Sequence, residues 1–438
     1  MQQRLIPDRT VSEWVDYIQT LHHSEIELGV ERVSKVYRRL YPDGMPCKVI
    51  SIAGTNGKGS TAEIIASIYH QAGYKVGKFS SPHLIDFGER YLINGANASD
   101  QALLDAFVKI EQARTDIPIT YFEFGALLAV ELFSAAKVDI AVMEVGLGGR
   151  LDAINMLDAD IALIASISID HTAWLGNTIE KIAHEKVGIA RSASPCVVGI
   201  RQPAQSIIDY CDEIKSNLQV LGQSFDYQFE EGDNQWSWQS NQSSRNLTQL
   251  PLPFSQNGVQ LSNAAIAIQA VDLLNDALLV SDQSIVNGVA KANILGRCQI
   301  FSQKPLTILD VAHNESSVQR LREFVDGQRT NKNMQQANIY ALCGMLKDKE
   351  VAQSLACMED LVDHWHLATI HNERGADAYY LQEQLNSVDT KSNKNISLHD
   401  SVNIAYDEVL KIVKPDDILI VFGSFFVVGD ILKATSKH

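Results

Sequence analysis

Positive charge is in short supply in this chain. Its 37 Lys and Arg are outnumbered by 53 Asp and Glu, a formal net charge of −16 over 438 residues, which argues against the basic face that nucleic acid or an anionic membrane would need. An anionic ligand must therefore be held by local groups. Cysteine is also sparse: Cys47, Cys196, Cys211, Cys298, Cys343 and Cys357 are scattered without a C-x-x-C pair. That pattern argues against a disulfide frame or structural zinc and fits reduced thiols. No apolar run reaches the length of a membrane span, and Arg4, Asp8, Arg9 and Glu13 break up the N-terminal stretch. A soluble cytoplasmic protein is the expectation. A nucleophile elbow, a zinc motif, a kinase signature and the guanine-selecting Asn-Lys-x-Asp pattern are all missing, and the last absence counts against a switch GTPase.

What is present is ample core material, 45% hydrophobic residues in a chain longer than one core usually organises, so two domains are expected. Short apolar runs at residues 49–53, 75–79, 139–145, 160–167 and 196–200 alternate with helical patterns. This predicts an α/β fold with a doubly wound, mainly parallel sheet, whose ligands bind beyond the carboxyl ends of the strands. Between residues 219 and 260, Phe225, Tyr227, Phe229, Trp236 and Trp238 interleave with polar residues and predict a small antiparallel side sheet. Helical spacing returns at 263–274 and 284–294. The boundary is placed after residue 295, giving domains 1–295 and 296–438. Strands at 306–311, 339–344, 365–370 and 417–422 make the second a smaller α/β domain, with polar surface loops at 326–336 and 386–395.

The segment Val49-Ile-Ser-Ile-Ala-Gly-Thr-Asn-Gly-Lys-Gly-Ser-Thr61 runs from an apolar strand into a Gly-rich turn with one lysine. Gly54, Gly57 and Gly59 would let backbone N–H groups approach phosphate oxygens, Lys58 supplies a point charge, and Ser60 or Thr61 offers a hydroxyl to Mg²⁺. Residues 62–72 are predicted as the helix that follows. The register is not the ordinary Walker spacing, but a ligand-free glycine turn would not need Lys58 followed by two hydroxyls.

Glu144 ends the apolar run 139–145 and precedes Gly146-x-Gly148-Gly149. A carboxylate there needs a metal or a basic partner such as Arg150, and the phosphate loop favours the metal. The glycine turn does not complete a dinucleotide fingerprint, because Leu151 stands where its last glycine belongs. Asp170-His171 closes the next strand and offers metal or phosphate ligands, although a lone histidine is more often structural. Ser81 is either a Mg²⁺ ligand or a turn residue, and Lys186 by itself reads as a solvated helix lysine. In the second domain Asp310-Val-Ala-His313-Asn314 ends a strand, with Arg297 at the hinge.

Taken in order, Leu28-Gly-Val-Glu-Arg-Val33, Ala53-Gly-Thr-Asn-Gly-Lys-Gly-Ser60, Ser80-Ser-Pro-His83, Tyr121-Phe-Glu-Phe124, Glu144-Val-Gly-Leu-Gly-Gly-Arg-Leu-Asp152, Asp170-His171, Asp310-Val-Ala-His-Asn314 and Gly344-Met-Leu-Lys-Asp-Lys349 closely resemble the folylpolyglutamate synthase family of the Mur ligase superfamily. The match runs through nearly the whole chain and is strongest to the bacterial bifunctional members. The resemblance implies an ATPase domain and a Rossmann-like C-terminal domain with ATP bound between them. It further implies ATP-dependent addition of L-glutamate to 7,8-dihydropteroate and to reduced folates through an acyl phosphate. Cofactors implied are ATP and Mg²⁺, with a carbamylated lysine and room for a monovalent cation such as K⁺.

By the same resemblance Thr55, Asn56, Gly57, Lys58, Gly59, Ser60, Asn263, Arg297 and Asp310 match ATP-contacting positions. Ser60, Ser81, Glu144, His171 and the carbamylated Lys186 would hold metal, and Lys58, Lys186 and His171 form the expected catalytic group. Leu28, Gly29, Val30 and Glu31, with Thr120, Tyr121, Phe122, Glu123, Leu151, Asp152 and Ala153, match the dihydropteroate side. Departures from the family's usual residues are Ile154 for Thr, Glu315-Ser316 for Pro-His and Phe426 for His. Partners would be small molecules alone, with no nucleic acid or membrane, and the protein a monomer. The rival readings are a monofunctional folylpolyglutamate synthase, a Mur-type cell-wall ligase, and a nucleotide-dependent protein without catalysis.

Overall fold

The computed structural model describes residues 9–24, 26–230, 235–253, 261–332, 334–388 and 395–435. They form two compact units, the first running to Asn293 apart from Leu84–Asp86, the second comprising that tripeptide and the chain from Ile294 on.

In the first unit β1 (Lys48–Ala53), β2 (Val76–Phe79), β3 (Tyr91–Ile93), β4 (Ala96–Asn97), β5 (Ile140–Glu144), β6 (Ile161–Ile164), β7 (Pro195–Val198) and β8 (Asn217–Val220) make one sheet ordered β4-β3-β2-β5-β1-β6-β7-β8. From β2 to β8 every pairing is parallel, while β3 and β4 extend the edge antiparallel. The central strands are apolar on both faces because helices cover both sides. Helix Lys58–Gln71 packs with helix Leu261–Leu273 on one face, and the nearly all-apolar helix Tyr121–Ala136 fills the other. A capping box fixes where this last helix starts: Thr120 accepts the Glu123 N–H, and Glu123 accepts the Thr120 N–H.

A separate antiparallel sheet, β9 (Phe225–Glu230), β10 (Gln235–Ser240) and β11 (Asn246–Pro251), lies ordered β11-β10-β9. Trp236 and Trp238, two apart on β10, share one face and are completely buried. The second unit holds β12 (Gln299–Gln303), β13 (Leu306–Asp310), β14 (Ile339–Cys343), β15 (His364–Ala368), β16 (Asn395–His399) and β17 (Ile418–Phe422), ordered β12-β13-β17-β14-β15-β16. All its pairings are parallel except β12 with β13.

Several expectations need correction. The phosphate-loop helix begins at Lys58, four residues before the predicted start, because the glycines that look like breakers lie at its very N-terminus. β8 continues the main sheet beside β7, although its last residues were assigned to the side sheet. The loop expected at 326–336 is in its first part helix, since Glu315–Asn331 buries Leu321, Phe324, Val325 and Gln328 at helical spacing beneath its polar outer face. Within 386–395, helix Ala378–Val388 and β16 take the two ends, and residues 389–394 lie outside the described residues. Half-buried edge strands such as β12 lack the continuous apolar run by which the central strands are recognised.

Candidate active site

The sheet order explains why the motifs meet. β1 lies between β5 and β6, so the chain leaving β1 emerges flanked by the ends of both. Registers Ile52↔Glu144 and Ala53↔Ile164 set the heights of those ends, and Phe79↔Met143 brings the end of β2 beside Glu144.

Residues 54–57 form a tight cradle. Thr55 N–H donates to the Ser166 carbonyl at 2.8 Å, Thr55 Oγ1 to the Ser168 carbonyl at 3.1 Å, and Asn56 N–H to Ser166 Oγ at 3.0 Å. Ser166 and Ser168 thus moor the loop, a role with no local sequence signal. Gly57 adopts φ +86 immediately before the helix, and a Cβ there would stand 2.5 Å from Asn263 Oδ1. Asn263 is therefore packed against the loop although 206 positions away in sequence. Gly59 is not part of the turn; it lies in the first helical turn. Lys58 Nζ lies folded over the cradle, donating to the Gly54 carbonyl at 2.9 Å and the Thr55 carbonyl at 3.3 Å. Of the two hydroxyl residues, Thr61 is buried in the core and Ser60 is partly exposed. A turn opened and closed by glycines, a helix N-terminus and a lysine over the loop together fit a nucleotide phosphate.

Glu144, buried at the end of β5, accepts the Ser81 N–H at 3.3 Å. Arg150 does not balance it: both Nε and Nη2 of Arg150 bond Glu185, at 3.2 and 2.7 Å. Of the two compensations open to Glu144, the structure gives Arg150 to another acid. His171 takes φ +50 at the N-cap position of helix Thr172–Leu175, and its backbone N–H donates to Asp170 Oδ1 at 2.7 Å. A carboxylate at the end of β5 and a hydroxyl and an imidazole on the connections that follow β2 and β6 are donor types suited to a divalent cation.

The glycine turn 146–149 is shaped by its neighbours. Cβ atoms at Gly146 and Gly149 would meet the Phe122 ring at 2.4 Å and the Lys186 carbonyl at 2.7 Å. The turn is thus a close-packing device between the Phe122 helix and helix Ile179–Val187. Asp152 holds it shut, accepting Leu147 N–H at 2.8 Å and Ile154 N–H at 3.0 Å. Burial pushes the Asp152 carboxyl up to about 6, against the pull of those N–H groups and of Lys58. Lys186 is buried beside it. Burial, then the charge of Lys58, pushes its ammonium down to about 7 despite Asp170 and Asp152. Lys186 is thus no solvated surface lysine, and Asp170, read from the sequence with His171 as a metal or phosphate ligand, is one of its electrostatic neighbours.

Three segments separated in sequence adjoin on the same unit. Gly29 N–H donates to the Leu151 carbonyl at 3.0 Å, and Arg32 Nε donates to Glu123 Oε2 at 3.0 Å. Residues 28–31, 120–123 and 151–153 are so joined, with Arg32 as the unforeseen connector. Arg90, also unforeseen, stacks its guanidinium 5.3 Å from the Tyr121 ring centre and donates to His83 Nδ1 at 2.9 Å.

In the second unit Asp310 ends β13 and accepts N–H groups of Cys298 at 2.6 Å and Ala312 at 2.7 Å. Burial raises its carboxyl, while Arg297 opposes the shift. Arg297 lies 5.2 Å from the Phe425 ring centre. Asn314 caps helix Glu315–Asn331. At the departures, Glu315 is exposed in that helix's first turn, Ser316 is half-buried, Phe426 is half-exposed and Ile154 is buried.

Residues 52–271 match the Mur ligase middle domain, and residues 296–425 the Mur ligase glutamate ligase domain. The dihydrofolate synthase/folylpolyglutamate synthase of Escherichia coli (strain K12) is 40% identical over 423 residues, covering 97% of this chain and 95% of that protein. Escherichia coli FolC in complex with DHPP and ADP shares the fold at TM-score 0.90 and 38% identity, covering 98% of this chain and 99% of that one. The bifunctional enzyme of Yersinia pestis complexed with AMPPNP and Mn ion gives TM-score 0.88 at 38% identity, covering 99% and 100%. The chain belongs to the Mur ligase family of ATP-dependent amide ligases, in its dihydrofolate synthase/folylpolyglutamate synthase branch.

Proposed function

We propose that this protein uses ATP to join L-glutamate to two acceptors, 7,8-dihydropteroate, giving dihydrofolate, and reduced folates, lengthening their glutamate tail. The observation that carries this reading is the joining of residues 28–31, 120–123 and 151–153 by the Gly29–Leu151 and Arg32–Glu123 bonds, in the unit that also holds the phosphate cradle. In this reading residues 1–295 are the ATP-binding domain and 296–438 the ligase domain. The enzyme works in the cytoplasm as a monomer.

A carboxylate does not accept an amine at neutral pH, so the acceptor's carboxylate first attacks the γ-phosphoryl of ATP, releasing ADP and leaving an acyl phosphate. The glutamate amine then attacks that carbonyl, phosphate leaves, and an amide remains. Thr55, Asn56, Gly57, Gly59 and Ser60 cradle phosphate oxygens, and Lys58 swings from its loop carbonyls to the charge developing on the γ-phosphoryl. Asn263, Arg297 and Asp310 contact the nucleotide. Ser60, Ser81, Glu144 and His171 would hold Mg²⁺, which supplies charge neutralisation, with a monovalent cation such as K⁺ alongside. Lys186 joins them as a carbamate: its near-neutral amine can capture CO₂, which turns a cation into an anionic oxygen ligand.

The test is ADP release with ATP, Mg²⁺ and L-glutamate, expected to rise with dihydropteroate and separately with a reduced folate. Stimulation by the folate alone reduces the enzyme to a monofunctional folylpolyglutamate synthase, and stimulation by neither rejects the reading. Lys58→Ala should abolish ADP release while the circular dichroism spectrum stays unchanged; normal turnover would refute the role given to the cradle.

A further inference from the structure

Among the described residues, one side-chain cluster apart from the active site combines metal-ligand types: His22, His23 and Glu27, whose ligand atoms all lie within 4.8 Å of one another. Nε2 of His22 and Nε2 of His23 stand 3.2 and 3.9 Å from the same oxygen, Oε2 of Glu27. Two imidazole nitrogens converging on one carboxylate oxygen leave a small space bounded by three donors.

The remaining atoms of two ligands are already engaged. Nδ1 of His22 lies 3.0 Å from the Ser24 carbonyl and 3.1 Å from the Ser24 N–H: in one tautomer it accepts that N–H, and in the other its own N–H donates to the carbonyl and the Nε2 lone pair faces the cluster, the form a metal ion would select. Oε1 of Glu27 accepts from Arg32 Nη1, and the Glu27 carbonyl accepts from Nη2 at 2.5 Å, so Oε2 remains for another partner. Outer hydrogen bonds of this kind orient metal-binding imidazoles and carboxylates. The His22 side chain is 5% exposed and that of His23 is 81% exposed, so one ligand is pre-placed and the other can close over an ion from solvent. The rings stack at 4.4 Å between centroids, which holds the exposed imidazole beside the buried one.

We propose that His22, His23 and Glu27 bind a borderline divalent metal ion of the Zn²⁺ class, at a site separate from the nucleotide-associated cation. Two nitrogens and one oxygen suit Zn²⁺ or Co²⁺ and not Mg²⁺, and three protein ligands leave a position for water. Because Arg32 joins Glu27 to Glu123, an ion on Oε2 also braces the segment leading to residues 28–31. The site itself stands independently of the ligase reading.

The test uses the metal-stripped full-length chain in excess Mg²⁺, titrated with Co²⁺ and then with Zn²⁺. One equivalent of Co²⁺ should give visible d–d absorption that one equivalent of Zn²⁺ abolishes, and Zn²⁺ should slow amide exchange around His22 to Glu27. Loss of an outer-shell partner alone costs about 10–100-fold in affinity, so His23→Ala and Glu27→Gln should each weaken Zn²⁺ binding at least ~10-fold. His23→Ala, an exposed change, should leave ADP release in Zn²⁺-free buffer unchanged. Equal Zn²⁺ affinity in wild type and both variants, no binding when Mg²⁺ is present, or a loss confined to Glu27→Gln overturns the proposal.

Discussion

Lys186 shows what a single side chain gains from its surroundings. In the sequence it is one lysine in the amphipathic stretch His184-Glu-Lys-Val; in the fold it is buried, and burial together with the Lys58 charge lowers it from 10.5 to about 7. Between those two values the folded chain binds fewer protons than the unfolded one, so the free energy of unfolding rises with pH across that window. Lys186→Met should flatten this rise in denaturant titrations, and an unchanged slope would contradict the assigned burial. With a value near 7 the amine is roughly nine-tenths neutral one unit higher. ¹³C-bicarbonate should therefore yield a carbamate resonance at mildly alkaline pH that Lys186→Met lacks; the same resonance in both proteins would rule out Lys186 as its source. Asp170 and Asp152 oppose the shift, and neither could be assigned to Lys186 from spacing, since Asp152 lies on the β5–β6 connection and Asp170, on the same β6–β7 connection as Lys186, stands 16 positions before it.

At the level of elements, the glycine turn 146–149 couples the end of β5 to the helix that carries Lys186. Its glycines resemble a nucleotide fingerprint gone wrong, but the contacts show a packing joint: Gly149 has carbonyls of Lys186 and Glu185 at 2.7 and 2.8 Å from where a Cβ would sit. Gly149→Ala should therefore push helix Ile179–Val187 away, cost about 1–3 kcal/mol as an overpacked site, and cut ADP release at least ~10-fold by displacing Lys186. Gly73→Ala is the control. Gly73 has φ +90 with nothing within 4 Å of a Cβ, so it should cost about 1–2 kcal/mol through backbone strain and leave turnover intact. Equal activity in the two variants would separate the turn from the site. The elements themselves were legible where apolar periodicity was strong, as in β1, β5 and β13. They were missed where a half-buried edge strand such as β12 or the polar outer face of helix Glu315–Asn331 hides the pattern.

For the whole molecule, separate hydrophobic clusters serve the two units: Leu306, Phe324, Trp365 and Phe422 lie in one of the second unit's clusters, whereas Ile50, Ile65 and Trp236 lie in one of the first's. Equilibrium unfolding should accordingly show two steps. Trp365 is the tryptophan of the second unit, so Trp365→Phe should remove the fluorescence amplitude of one step and keep that of the other. A single transition, coincident by fluorescence and circular dichroism in both proteins, would reject separate cores. The sequence alone determined the α/β class, the strand that feeds the phosphate cradle, Lys58 within it, and the family, because each of these depends on local spacing or on ordered motifs. Only the tertiary structure decided that Arg150 pairs with Glu185 and not with Glu144, that Thr61 faces the core, that Asn263 packs under Gly57 and that Lys186 is buried beside Lys58. Those outcomes depend on which strands become neighbours and how closely backbones approach across tens or hundreds of residues, and hydrophobic periodicity carries no record of such distances.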